Sequence, residues 1–298
     1  LRLYCDAAAK ELKEALARQY KVEPENVFVA NGSDEALNFA FLSYATDGRG
    51  VAFADFTYSF YPVFCDLYHI PAQIVPLRED FTLVPEDYYG LNKTIVITNP
   101  NAPTGLAISR DQVEGIVKAN PDSVVVIDEA YVDFGGESSV ALTQKYPNLL
   151  VVQTYSKSRS MAGARLGYAI GDAALIRDLE TIKFSTNPFN VNSLTMKAGI
   201  AALAEQAYYD ENCKKIMETR EYTARELEKL GFTVLPSKTN FLFAKKEGVD
   251  GKALCQGLKD RGVLIRHFDK DRIRDYNRIT IGTPEQMDIF LEKLRELL

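Results

Sequence analysis

Histidine is nearly absent from this chain of 298 residues, which holds only His69 and His267. A zinc site built on imidazoles, or a Ser-His-Asp triad, needs more than two isolated histidines, so neither is expected, and no metal site. Cysteine is almost as scarce. Cys5, Cys65, Cys213 and Cys255 lie far apart with no CxxC pair, which predicts reduced thiols and a cytoplasmic protein. Positive charge is in the minority. With 35 Lys and Arg against 41 Asp and Glu, the net charge is −6, which argues against nucleic acid or an anionic membrane as partner and leaves room for a local anion site. No apolar run approaches the roughly 20 residues of a membrane-spanning helix. The opening LRLYCDAAAK lacks a secretory-signal pattern, and low-complexity tracts, internal repeats and Gly/Ser-rich linkers are missing too.

What is present is an ordinary globular composition, 46% hydrophobic and 26% charged, long enough for one large or two modest domains. The first residue is leucine and DAAAKELKEALARQY follows at once as a helix, so a further N-terminal segment is expected ahead of it. Short apolar runs then alternate with helix-length spacers: VFVA, VAFA, AQIVPL, TIVIT, SVVVI and LLVVQ. Continuous runs of this length between helical spacers predict buried parallel strands. The fold class is therefore α/β, a mostly parallel mixed sheet flanked by helices, with ligands beyond the strands' C-terminal ends. From about residue 173 the texture shifts to long helices, then FTVL, TNFLFA, GVLIR and NRITIG, closed by PEQMDIFLEKLRELL. This predicts a large domain over 21–205 and a smaller α+β domain over 206–298. Residues 1–20 are expected to pack on the small domain or in a dimer interface.

Four strand ends carry polar groups, and each has an ordinary explanation. Asp128, after SVVVI, is a costly buried carboxylate unless partnered, and a helix cap or ion pair would serve. Lys157, after LLVVQTYS, reads in isolation as a surface lysine, yet lysine is also the residue that forms a Schiff base with an aldehyde. Asn99-Pro100-Asn101-Ala102-Pro103-Thr104-Gly105, after TIVIT, is a rigid turn able to hold an Asn side chain at the sheet's edge. Ser33, Asp34 and Glu35, after VFVA, open a helix, where backbone N–H groups bind phosphate or simply receive a cap. All four should converge on one crevice. Together they supply an amine for an aldehyde, a carboxylate for a ring nitrogen, an amide for a phenolic oxygen and donors for a phosphate. Pyridoxal 5′-phosphate requires that set, with Ser156, Ser158 and Arg165 completing a phosphate cup.

The motifs NGSDEAL, FTYSFYP, NPNAPTG, VVVIDEAYVDF, TYSKSRSMAGARLGYAIG and NRITIG cover most of the chain. In this order the sequence resembles the fold-type I pyridoxal-phosphate aminotransferases, and among them the histidinol-phosphate group. The resemblance implies that Lys157 is the Schiff-base lysine, Asp128 the partner of the pyridine nitrogen and Tyr131 a donor to the phenolate oxygen. It implies that Tyr58 stacks on the ring, that the Asp34 and Glu35 amides with Ser156, Ser158 and Arg165 hold the phosphate, and that Gly163 and Gly167 let the backbone pass close to the cofactor. Arg278 would clamp the substrate's α-carboxylate and Arg266 receive a substrate phosphate. The family commonly has Asn before Pro-Thr-Gly where Ala102 stands here, so Asn101 is the candidate for the phenolate contact. Tyr4, in Tyr-Cys-Asp where the family reads Tyr-Pro-Asp, would reach the phosphate site of a neighbouring subunit in a homodimer with shared active sites. The family also carries an N-terminal arm before this point.

The implied reaction is transamination, histidinol phosphate and 2-oxoglutarate giving imidazole-acetol phosphate and glutamate. Other readings of the same fold are an aromatic or broad-range aminotransferase and a phosphothreonine-type decarboxylase. Outside enzymology stand a cofactor-binding regulatory domain and an inactive, truncated paralogue.

Overall fold

A computed structural model describes residues 2–298. The apolar runs become β1 (Val27–Ala30), β2 (Val51–Ala54), β3 (Ala72–Val75), β4 (Thr94–Thr98), β5 (Val125–Asp128) and β6 (Leu149–Thr154), joined by β7 (Gly167–Gly171). They form one seven-stranded sheet in the order β1-β7-β6-β5-β4-β2-β3. Strands β2 to β6 pair in parallel, and β7 runs antiparallel to both β6 and β1. Every residue of β4, β5 and β6 is buried, because helices cover both faces of a parallel sheet.

Alternation along each strand sorts the side chains to the two faces. Val96, Val126 and Leu150 meet α2 (Ser33–Tyr44), α3 (Tyr61–Tyr68) and α5 (Ala173–Thr186) through Leu37, Phe64 and Leu179. Ile95, Ile97, Val125 and Ile127 meet α1 (Lys10–Tyr20), α4 (Arg110–Ala119) and α6 (Ser193–Ala204) through Leu12, Leu16, Ile116 and Met196. Helix α1 therefore buries its apolar face in the core of the large domain and not, as expected, on the small one; it reaches α7 only at its end, where Gln19 Nε2 donates to Gln206 Oε1 at 3.3 Å. Its amphipathic spacing places Leu12, Leu16 and Ala17 on one buried face, and that face fits the apolar floor beside α6.

Helix α7 (Gln206–Lys229) follows α6 after the single residue Glu205 and leads into the small domain. There β8 (Phe232–Val234), β9 (Phe241–Lys246), β10 (Arg266–His267) and β11 (Asn277–Thr280) form an antiparallel sheet in the order β10-β11-β9-β8. Leu242 and Ala244 of β9 face α7, α8 (Gly251–Asp260) and α9 (Pro284–Arg295) in the small domain's own core. Phe241 and Phe243 point the other way, onto Tyr131 and Phe134 and onto Phe56 and Phe81 of the large domain. One strand thus serves the inner core and the domain interface. Of the expected strand GVLIR only Arg266 is in a strand, the two-residue β10 that it forms with His267. Among the described residues no helix is long and apolar enough to cross a membrane.

Candidate active site

Parallel strands deliver their C-terminal ends to one edge of the sheet, and the small domain leans over that edge. A crevice of about 310 Å³ opens between them. Its walls include Ser33, Asp34, Tyr58, Asp128, Tyr131, Ser156, Lys157, Arg266 and Arg278, all members of the sequence-based set and drawn from several strand ends and loops.

Asp128 closes β5 and is 3% exposed. Tyr61 Oη donates to its Oδ2 at 2.8 Å and the Ala130 N–H to its Oδ1 at 3.2 Å. Burial pushes its pKa up to about 6 even though both donors pull the other way. A buried carboxylate that accepts two hydrogen bonds and still titrates high is short of a cation, and a protonated ring nitrogen would supply one. Tyr61 in turn lies 3.0 Å from Thr98 Oγ1, which lies 2.8 Å from Thr57 Oγ1. This chain of hydroxyls escaped the sequence reading, although Tyr61 sits within FTYSFYP.

Lys157 follows β6 in a turn held by the Ser160 N–H to Lys157 O bond at 3.0 Å. Its Nζ lies 5.3 Å from the centre of the Tyr131 ring. The Tyr131 ring meets Phe241 of the small domain edge-on at 5.1 Å. Tyr58 lines the crevice, donates from Oη to Asp34 Oδ1 at 2.8 Å and meets the Tyr61 ring edge-on.

Helix α2 begins at Ser33 without a side-chain cap, so the N–H groups of its first turn lack protein partners inside the helix. Arg165 folds over that end, pairing with Asp34 Oδ2 at 2.8 Å. Gly32 makes this possible. Its φ is +81°, and a Cβ there would lie 2.6 Å from Arg165 Nη2. Free N–H groups, a guanidinium and the Ser156 hydroxyl around a backbone cradle that tolerates no Cβ suit a phosphate. The residues present therefore fit pyridoxal phosphate in both of its demanding parts, the ring nitrogen and the phosphate.

Several expected contacts lie elsewhere. Asn101 does not reach the crevice, because its Nδ2 donates to Phe56 O and Thr104 Oγ1, both at 2.9 Å. Its side chain borders a separate apolar cavity, while Ala102 and Pro103 line the crevice. Ser158 is turned away from the phosphate end, with its hydroxyl donating to the Asp133 carboxylate. The Glu35 carboxylate is engaged away from the crevice, accepting from Asn31 N–H at 2.7 Å and Asn190 Nδ2 at 2.6 Å, while its backbone N–H, the expected contact, stays in the first turn of α2. A Cβ on Gly167 would meet Ser33 N at 2.3 Å, whereas one on Gly163 would meet nothing within 4 Å. Gly167 thus lets β7 pass against the phosphate loop, and Gly163 has no such task. Tyr4 is 83% exposed and stacks on Phe189 at 4.6 Å, outside this chain's own crevice.

Arg266 and Arg278 face each other directly across β10 and β11. Like charges opposed on neighbouring strands repel. Arg278 is also drawn in far enough that burial lowers its pKa, and its Nε has no partner. Its guanidinium lies over Phe241 at 5.0 Å, and that of Arg266 over Phe268 at 5.4 Å. Two adjacent cations with an unpaired buried donor call for an anionic ligand on the small-domain side.

The family model for aminotransferase class I and II matches residues 1–294. A histidinol-phosphate aminotransferase from a Marinomonas strain is 49% identical over 300 residues, covering 100% of this chain and 85% of that protein. One from Brachyspira hyodysenteriae is 46% identical, covering 100% and 84%. The crystal structure of the Sinorhizobium meliloti histidinol-phosphate aminotransferase in complex with pyridoxal-5′-phosphate superposes with a TM-score of 0.89 at 26% identity, over 99% of this chain and 84% of that one. The L-threonine-O-3-phosphate decarboxylase of Porphyromonas gingivalis shares the fold, with a TM-score of 0.86 at 24% identity over 99% and 90%. A crevice with this lysine, buried carboxylate and arginine pair thus sits in a chain that belongs to the class I and II aminotransferases, of fold type I.

Proposed function

We propose that this protein is a pyridoxal-phosphate-dependent transaminase that takes the amino group of histidinol phosphate and passes it to 2-oxoglutarate. The observation that carries the substrate choice is identity of 44–49% to histidinol-phosphate aminotransferases over essentially the whole chain. Arg266 and Arg278, paired on one side of the crevice, support it, since that pair favours substrates bearing anionic groups.

Asp128 holds the ring nitrogen in its protonated form, and the α2 N-terminus, Ser156 and Arg165 hold the phosphate. Bound there, pyridoxal phosphate supplies an aldehyde for amine exchange and an electron-poor ring that stabilises charge developing at the substrate's Cα. Lys157 Nζ takes and returns the proton at Cα. Tyr131, against which the lysine lies, keeps the amine oriented, and Tyr58 covers the ring. Arg278 binds the acidic end of the 2-oxo acid, and Arg266 the phosphate of the amino donor. Phe241, shared between Tyr131 and Arg278, links the two halves so that closing the small domain excludes water.

The working unit is a homodimer with shared active sites, Tyr4 reaching the partner's phosphate end. Phe60, Val63 and Leu67 support this, since they leave an exposed apolar stripe on and just before α3 that a second copy would cover. Four unpaired cysteines suit the reducing cytoplasm.

The test is a set of half-reactions on cofactor-loaded protein, following the visible absorbance with histidinol phosphate, phenylalanine and phosphothreonine. Conversion with histidinol phosphate, and loss of the visible band in Lys157→Ala, is expected. A response to phenylalanine alone, or release of carbon dioxide from phosphothreonine, would replace the substrate assignment.

A further inference from the structure

Two residues beyond Lys157 stands a cation that neither cofactor nor substrate uses. Arg159 is only 6% exposed. Its Nη1 donates to Ala202 O at 3.1 Å and its Nη2 to Gln206 Oε1 at 2.6 Å. The guanidinium lies 5.3 Å from the centre of the Tyr155 ring and 5.2 Å from that of Tyr209. Both hydrogen-bond partners are neutral oxygens, so the cation is held by geometry and aromatic faces.

Where those partners stand matters more than their number. Ala202 lies in the last turn of α6, where carbonyls have no intrahelical partner and a cation is favoured by the helix dipole. Gln206 is the first residue of α7. Between them is Glu205, the one residue of the elbow, with φ −101° and ψ 34°. Helix α7 leaves that elbow to place Cys213 against Tyr131 and Phe241, then Leu227 in the small-domain core. Helix α7 thus joins the elbow that Arg159 grips to the small domain that carries Arg266 and Arg278. Gln206 is itself fixed, since its Nε2 donates to Asp210 Oδ1 at 2.6 Å and its Oε1 also accepts from Gln19 Nε2 at 3.3 Å, so the oxygen is oriented toward donors, Arg159 the nearer of them. On its other side, the lysine's turn is tied down by Ser158 to Asp133.

Resting on the transaminase reading, we infer that Arg159 is a positioning residue that couples the Lys157 turn to the α6–α7 elbow. Closure of the small domain over substrate and placement of the lysine amine are then one mechanical event. An arginine suits this task because its planar fork holds two acceptors at a fixed angle, which a lysine cannot do.

The experiment uses the apoprotein and the cofactor-loaded protein. Arg159→Met keeps an apolar chain between the two tyrosine rings and removes both bonds. Hydrogen–deuterium exchange is expected to quicken at residues 156–161 and 202–209 together, in both forms. In the loaded enzyme kcat falls about tenfold with the donor KM held within about twofold, as for a lysine misplaced by less than an ångström. The isotope effect with Cα-deuterated donor rises, because proton transfer becomes the slower step. Gln206→Leu leaves the lysine's turn untouched and is expected to reproduce the pattern, and the double variant is no worse than Arg159→Met alone. Arg159→Lys falls between wild type and Arg159→Met. Exchange changes confined to one segment, an unchanged isotope effect beside a lower kcat, or additive losses in the double variant would overturn the coupling. If Arg159→Met does not fold, Gln206→Leu decides. If wild type forms no visible band with pyridoxal phosphate, the transaminase reading fails, and the apoprotein exchange still decides the coupling.

Discussion

Replacing Tyr61 by phenylalanine isolates one hydrogen bond to the buried carboxylate. The Tyr61 side chain is fully buried, edge-on to Phe53 and Tyr58 and tilted against Phe41, so the ring keeps its packing. What disappears is the donor to Asp128 Oδ2 at 2.8 Å. A hydrogen bond to a charged group contributes about 1.5–3 kcal/mol, and one pH unit corresponds to about 1.4 kcal/mol. Removing a donor to the ionised form favours the neutral one. The Asp128 pKa of about 6 should therefore climb by about one to two units. Only ionised Asp128 pairs with a protonated ring nitrogen, so cofactor affinity reports the change. The assay is titration of apoprotein with pyridoxal phosphate from about pH 5.5 to 9, followed by visible absorbance and expressed as the ratio of variant to wild-type Kd. The cofactor's own titrations cancel in that ratio. It should be near one at high pH and rise to about ten- to a hundredfold below pH 6. A ratio that does not vary with pH would refute the role of Asp128 and of the hydroxyl behind it.

Gly167→Ala places a methyl 2.3 Å from Ser33 N and should cost about 1–3 kcal/mol in urea unfolding with weaker cofactor binding, whereas Gly163→Ala should do neither; equal effects would sink the close-approach argument. Burial pushes Glu129 up to about 7, above its unfolded value, so its contribution to stability is complete below about pH 4.5 and is lost as pH rises through 7. Glu129→Gln should therefore gain on wild type by up to about 3 kcal/mol between pH 5 and 8, and parallel unfolding profiles would contradict this. Arg278→Ala should weaken every α-carboxylate substrate by about a hundredfold or more, and Arg266→Ala the phosphorylated donor much more than 2-oxoglutarate; matching losses for both substrates would show that Arg266 does not read the phosphate.

The sequence was most legible where one physical rule governs a whole segment. TIVIT, SVVVI and LLVVQ announce parallel strands because both of their faces are covered, so the consecutive inner positions are all apolar. Parallel topology then sends the ends of those strands to one edge, which is why Asp128, Lys157 and Ser33 could be assigned to a common crevice before any geometry was known. The strand β7 was not legible. Of GYAIG only Tyr168 and Ile170 carry large apolar side chains, and its glycine start answers the close passage of Ser33, a neighbour 134 positions away in the chain. The direction of Asn101 was equally hidden. Whether its amide turns to the crevice or to Phe56 O depends on the loop after β2, which no local pattern contains.

By itself the sequence determined the α/β class, the order of the strands and helices other than β7, and which chemical groups stand at strand ends, because these follow from local periodicity and the topology it allows. Tertiary structure alone decided that burial raises Asp128 while Tyr61 holds it back, that Ser158 serves Asp133 instead of an anion, that Arg266 and Arg278 oppose each other, and that Arg159 grips the elbow of α7. Each of these depends on elements that only the packed fold brings together, and for Tyr61, Ser158 and Arg159 the contact lies in a part-buried or buried place where a donor must find an acceptor. Only the packed fold specifies which acceptor is within reach.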